Sequence, residues 1–377
     1  MRTLRRFATG WLAGGAIALC LGAALPPVPL PPPAAPGPEG VPPGWWAELQ
    51  PLLTGGARCR LKIAPHWLEP GEPARAGSLD AFGIATLQKS RMRVVFGPVK
   101  SRGDMRQLLT GPLDGLSSER PDLLVEETFA VDLNGDGRPG DWMLDHGSAP
   151  FERLELRGEG GAKGVRPGHT LPAFEAAIDQ GANCLESPVW LTQDGIPVLA
   201  DGPWLQRDRV RWSHPGSPAP REAVPDLQAW QLSALRHWTD RGVKQDGYPM
   251  QNLDPLLSPV SLAFGRLRGW ADVHAWVDLE SLLAFVSFYQ TYYTLGEGRL
   301  HPEAAARGGR ARQVQLVLSL PPSGEGNDAA RRASATCLAI GTRAGFLARL
   351  TLQSTDGRLL AELARRYPGL QLCLQFP

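Results

Sequence analysis

The sequence predicts an α/β protein whose C-terminal part is built as a barrel, with a smaller α+β region before it. From Leu154 onward, short apolar runs, Gly-rich turns and helical spacing follow one another in a single repeating order. With 377 residues, 43% of them apolar and 20% charged, the chain has enough apolar surface to bury a full core. Between about residues 45 and 150 the apolar runs are short and separated by polar turns without that order, which predicts a small α+β region.

The chain opens Met-Arg-Thr-Leu-Arg-Arg and continues in an uncharged run from Phe7 to Leu25. A basic start before an apolar stretch is expected of a secretory signal peptide over 1–24, and the same stretch is long enough for an uncleaved membrane anchor. Both readings place the remainder outside the cytoplasm, secreted, periplasmic or held at a membrane by that segment alone. Leu19 before Cys20 is too large for a lipid-modified cysteine. Residues 25–44 are dominated by proline, favour extended polyproline II and read as a linker. Cys59, Cys184, Cys337 and Cys373 match no zinc spacing, and either disulfides or buried thiols fit them. With 39 basic and 38 acidic side chains, no global field draws the chain to nucleic acid. The expected partner is an unspecified ligand or protein.

Within 45–150, Arg93-Val-Val-Phe-Gly-Pro and Thr128-Phe-Ala-Val-Asp read as strands at 93–98 and 128–132. Between Asp132 and Asp141, carboxylate or amide oxygens at Asp132, Asn134 and Asp136, with glycine at 137, follow the one-three-five-six pattern of a calcium loop, with Asp141 arriving one residue late. A structural Ca2+ there is one expectation, an Asx-rich turn the other. Beyond Leu154, Leu171, Phe174 and Ile178 give helical spacing ending at Gly181, 182–189 reads as a strand, and 193–200 as a turn and strand. Strands are expected again at 314–320, 348–352 and 370–374, with helices at 328–341 and 357–367 between them.

The run Gly161-Ala-Lys-Gly-Val-Arg-Pro-Gly-His-Thr through Glu186, then Leu191-Thr-Gln-Asp-Gly-Ile-Pro-Val198, resembles the opening of the glycerophosphodiester phosphodiesterases, relatives of the phosphatidylinositol phospholipase C-like barrels. Leu352-Gln-Ser-Thr-Asp356 and Tyr367-Pro-Gly-Leu-Gln-Leu extend the likeness, and 204–312 reads as a tryptophan-rich insertion. The resemblance implies a TIM-type barrel over 151–377 with its site at the C-terminal strand ends. It also implies hydrolysis by two histidines as acid and base, around a divalent cation held by carboxylates. At the positions of those histidines the chain carries Glu159 and Asp201. A competing register uses Arg157-Gly158 and also lacks a histidine. Pro167-Gly-His-Thr170 stands for Pro-Glu-Asn-Thr, Glu186-Ser-Pro188 for Glu-Leu-Asp, and Leu318-Ser-Leu320 for Glu-x-Lys. Glu186 is thus the retained metal-ligand position.

One such ligand does not hold a hard cation, so no cofactor is expected at the barrel site. The expected protein is an inactive, extracytoplasmic ligand or partner binder; the alternative is an active phosphoric diester hydrolase using altered residues. Pro188, Trp190, Leu318 and Leu320 are expected to make the mouth apolar, with Trp190, Trp204 and Trp212 at its rim. A different convergence, of Glu159, Glu186 and Asp201 with His169, would make an acidic site. The final strand matches the family's sixth, which leaves two units of an incomplete or distorted barrel for residues 45–150 to cover.

Overall fold

The computed structural model describes residues 41, 43–54, 58–64, 81–111, 113–132, 137, 139, 154–205, 210–212, 223–233, 235–237, 254–322 and 328–376. Eight parallel strands close a barrel in chain order. These are β1 (Arg58–Ile63), β2 (Arg93–Phe96), β3 (Gly115–Ser118), β4 (Glu155–Glu159) and β5 (Cys184–Leu191). After β6 (Pro197–Leu199), which pairs antiparallel with the end of β5, and the separate antiparallel pair β7 (Val210–Trp212) and β8 (Leu235–His237), come β9 (Gln315–Ser319), β10 (Leu350–Ser354) and β11 (Gln371–Phe376). Each barrel strand pairs with the next, and β11 returns to β1 from Arg58↔Gln371 to Ile63↔Phe376, so the ring has no open edge.

The barrel is therefore complete, and residues 58–118 complete it. They supply three strands, not the two units expected, because β4, β5, β9, β10 and β11 make only five of the eight. The strand expected at 93–98 is β2. The one expected at 128–132 is instead the end of a helix, α4 (Pro121–Ala130), which follows α1 (Pro43–Thr54), α2 (Ala81–Lys89) and α3 (Arg102–Leu109). Pro121 opens α4 in the first-turn position that tolerates proline, and Leu124, Val125 and Thr128 recur at helical spacing on its buried side. Strands β1 and β3 were not expected.

Alternation along β1 sends Leu61 and Ile63 outward into the main apolar core under the helices, while Arg60 and Lys62 turn into the barrel. The same alternation places Leu316, Leu318 and Leu320 in that outer core and turns Val317 and Ser319 inward, Ser319 accepting from Gln353 at 2.8 Å. This reverses the expected direction of Leu318 and Leu320. The four cysteines at 59, 184, 337 and 373 are buried and free.

The helix after β4, α5 (Leu171–Asp179), starts at Thr170, whose hydroxyl accepts from the Ala173 amide. After the short α6 (Ala229–Ser233), the insertion continues in α7 (Pro259–Arg268), α8 (Leu279–Thr294) and α9 (Ala304–Gln313), held together by rings such as Phe264, Phe285, Tyr289 and Tyr293. A buried carboxylate and a half-buried one, a turn apart on α5, latch it. Glu175 accepts from the amides of Val260 and Ser261, at 3.0 and 2.7 Å, and so caps α7. Asp179 accepts from the Tyr289 hydroxyl and from Arg307 at 2.8 Å. The last helices, α10 (Asp328–Arg343) and α11 (Gly357–Arg366), complete the outer layer.

Candidate functional site

The barrel interior is ionic. Deepest, Arg60 donates to Glu155 at 2.8 Å, and Arg157, fully buried, donates to the other Glu155 oxygen at 2.6 Å. Arg157 also reaches Glu186 at 3.4 Å and Gln353 at 3.0 Å. Burial alone would raise Glu155, but Arg157, Arg60 and Arg93 hold it down to about 2. TIM-barrel interiors are usually packed with branched apolar side chains. Here unpaired charge in a low-dielectric space would be costly, and each of these ions has a partner within reach.

Toward the C-terminal strand ends, Glu186 stands at the centre. Its Oε1 receives Lys62 Nζ at 2.5 Å and the Gln353 amide at 2.9 Å, and its Oε2 receives the Ser117 hydroxyl at 3.0 Å. Burial opposes ionisation of Glu186, yet Lys62 and Arg157 hold its carboxyl well below the usual range. Burial likewise works against the Lys62 ammonium, and Glu186 and Glu159 hold it above its ordinary value. Lys62 and Ser117 come from β1 and β3, strands in the region the sequence reading left without a role in the site.

Glu159 continues the chain of charge outward. Its Oε2 lies 3.7 Å from Lys62, and its Oε1 lies 3.3 Å from Lys163. Lys163 sits on the loop between β4 and α5, also within 3.1 Å of Glu119 and 3.2 Å of Asp201. That loop turns back over the strand end through Gly160 and Gly161, with φ of +60° and +77°. A Cβ on Gly161 would lie 2.5 Å from the Ala173 backbone, so only glycine fits there. His169, on the same loop, is buried and holds the left-handed φ of +61° that non-glycine residues rarely adopt. Its Nε2 is 2.8 Å from Asp201 and its Nδ1 2.8 Å from the Ser187 hydroxyl. Asp201 keeps its charge readily: burial would raise it, and His169 and Lys163 hold it far below the carboxylate range.

The structure thus brings Glu159, Glu186, Asp201 and His169 together at one end of the barrel, and the mouth is charged instead of apolar. Trp190 pairs with Val198 in the β5–β6 hairpin and packs against a second apolar cluster that includes Leu205 and Val224. Trp204 is exposed and bridges to Ala223, and Trp212 pairs with Leu235 in the β7–β8 ribbon. Of the candidate calcium loop, Asp132 accepts from the Gly137 amide at 2.7 Å, a bond across five residues where an Asx turn spans two, while Asn134, Asp136 and Asp141 lie outside the described residues. Among the described residues, no three His, Cys, Asp or Glu side chains are arranged to hold a metal ion.

The ionic interior sets an expected pH profile of stability. Glu155, with a folded value of about 2 against an ordinary 4.5, contributes stability that is present above about 4.5 and lost as pH falls toward 2. Glu175 runs the other way, since burial pushes it up to about 7. Its contribution is complete below about 4.5 and is lost as pH rises through 7. The thermal midpoint should therefore be highest near pH 4.5, fall toward pH 2 on the acid side and fall between about pH 4.5 and 7 on the other, and Glu175→Gln should flatten the upper limb alone. A midpoint that climbs steadily to pH 9 would contradict this.

Residues 160–277 match the model of the Glycerophosphoryl diester phosphodiesterase family. Among solved structures, the chain is similar to a protein of Silicibacter pomeroyi assigned to the glycerophosphoryl diester phosphodiesterases, with 24% identity over 58% of this chain and 63% of that one, and a TM-score of 0.43. It is similar also to a glycerophosphodiester phosphodiesterase of Agrobacterium tumefaciens, with 13% identity over 57% and 63% and a TM-score of 0.33. A phosphodiesterase of Oleispira antarctica, solved with the product sn-glycerol-3-phosphate, matches at 15% identity over 58% and 63%, with a TM-score of 0.34. In each comparison the chain spans less than two thirds of the other protein's length. No curated protein matches the chain significantly.

Proposed function

We propose, for a chain whose residues 160–277 match the glycerophosphoryl diester phosphodiesterase family model, that the barrel has kept the fold without metal-dependent hydrolysis and serves as an extracytoplasmic ligand- or partner-binding protein. The observation that carries this reading is the Lys62 ammonium 2.5 Å from Glu186. Glu186 is the one family metal-ligand position retained, and its oxygens already serve Lys62, Arg157, Gln353 and Ser117. A divalent cation at that carboxylate would sit against an ammonium in a low-dielectric site, where like charges repel most strongly. These residues do not fit a hard cation, which takes six or more oxygens. Hydrolysis of a phosphodiester needs its charge neutralised and protons moved, and at the two histidine positions stand Glu159 and Asp201. The extracytoplasmic part of the reading rests on the basic and apolar residues of 1–24, which lie outside the described residues. Among those described, no helix is long and apolar enough to cross a membrane.

The second reading, an active phosphoric diester hydrolase with altered residues, is favoured by His169. Its backbone is strained and its Nε2 reaches the carboxylate at the second histidine position. One assay separates the two. Purified protein incubated with glycerophosphodiesters, with and without Mg2+ or Ca2+, should release no glycerol 3-phosphate. Cation-dependent turnover abolished by Glu186→Gln would overturn the first reading. Cation-independent turnover abolished by His169→Gln would establish the second.

A further inference from the structure

Three carboxylates from three different strand ends surround one ammonium at the barrel mouth. Glu119 follows β3, Glu159 ends β4 and Asp201 follows β6, and their oxygens lie 3.1, 3.3 and 3.2 Å from Lys163 Nζ. Because all three approach one point, they lie within about 6.5 Å of one another, a distance at which like charges repel appreciably. Without the ammonium, the three would have to take up protons, move apart or recruit a cation. The fold does not let the lysine drift away. The loop carrying it is pinned by the glycine turn at 160–161 and by the Gly160 amide on the Glu186 carbonyl, at 2.7 Å. A Cβ on Gly168 would lie 2.8 Å from the Lys163 Cβ, so the loop is packed against its own lysine. The side chain itself is only 17% exposed.

We propose that Lys163 is a tethered counter-cation, supplying from within the chain the positive charge that the three converging carboxylates require, and that shortening it uncovers a cation site formed by Glu119, Glu159 and Asp201. The inference does not depend on whether the barrel turns over a substrate. Oxygens at 3.1–3.3 Å suit an ammonium, and they stand too far out for a metal. A calcium ion draws its oxygens to about 2.3–2.6 Å, a closure of less than about 1 Å that side-chain rotation can supply. Magnesium needs a shorter, near-octahedral shell of about 2.0–2.1 Å and should be bound less well. Unaltered protein is thus insensitive to divalent ions at the mouth, and the vacated cage prefers calcium.

The test is thermal unfolding of the full chain with Ca2+ and Mg2+, all variants carrying Asp132→Ala and Asp136→Ala so that the candidate loop at 132 is silent. Lys163→Ala should unfold at a lower temperature than its parent without cation and be raised by Ca2+, by roughly 5 °C at a hundredfold excess over Kd. The parent should show no shift. Lys163→Gln, neutral and of nearly the original length, guards against a variant that fails to fold, and it too must respond to Ca2+. Adding Asp201→Asn to either variant should remove most of the response. A cation response in neither variant would overturn the proposal. So would an equal response in the parent, or one in the variants that survives Asp201→Asn.

Discussion

Residues 151–377 expressed without the preceding region should fail to fold, giving no cooperative unfolding transition, although they hold every motif that resembles the phosphodiesterases. Removing 1–150 takes β1, β2 and β3, three of the eight barrel strands, and opens β4 and β11 as unpaired edges. It also removes Leu61, Ile63, Val94, Phe96 and Leu116 from the core, all essentially fully buried. At roughly 1.5–3 kcal/mol for each such side chain, the loss is about as large as the whole net stability of a domain, roughly 5–15 kcal/mol. Glu155 and Glu186 would lose Arg60 and Lys62 as well. Residues 36–150 supplied as a separate chain should restore the transition. A cooperative transition and native-like circular dichroism from 151–377 alone would show that the N-terminal strands are an addition to the barrel and not part of it.

Why the N-terminal strands were hard to read follows from their side chains. Arg-Cys-Arg-Leu-Lys-Ile in β1 has a basic residue at every second position, the pattern of a strand with one face in water. Its polar face instead enters the barrel and finds Glu155 and Glu186, which lie 95 and 124 residues further along. No local pattern carries that information. Gly-Leu-Ser-Ser in β3 has almost no β-forming residues. The C-terminal units were legible because their outward apolar faces keep helical and strand periods, and because 161–198 resembles a known family. Even there, the direction of β9 was not settled. Gln-Leu-Val-Leu-Ser carries apolar residues on both faces, and the barrel's polar interior decides the matter by turning Ser319 toward Gln353. Glu159, Glu186, Asp201 and His169 were found as a possible convergence. The lysines that neutralise the first three were not, since a lysine carries no motif of its own.

Lys62→Met should be among the most destabilising single substitutions in the protein, costing on the order of 3–5 kcal/mol. Methionine fills a similar volume, so the loss is one of charge and hydrogen bonding more than of packing. Glu186 would remain buried with Arg157 at 3.4 Å as its nearest cation, and Glu159 would lose the ammonium 3.7 Å away. The double variant Lys62→Met, Glu186→Gln removes the stranded charge together with its partner, so it should be more stable than the single variants would predict. The most direct measurement of whether an ammonium is the counter-charge of Glu186 is this cycle, run as urea unfolding of the parent, Lys62→Met, Glu186→Gln and the double variant near pH 6. If the Lys62 ammonium is the counter-charge that occupies Glu186, the coupling energy should be about 1–3 kcal/mol, whereas additive effects, within about 0.5 kcal/mol, would contradict it.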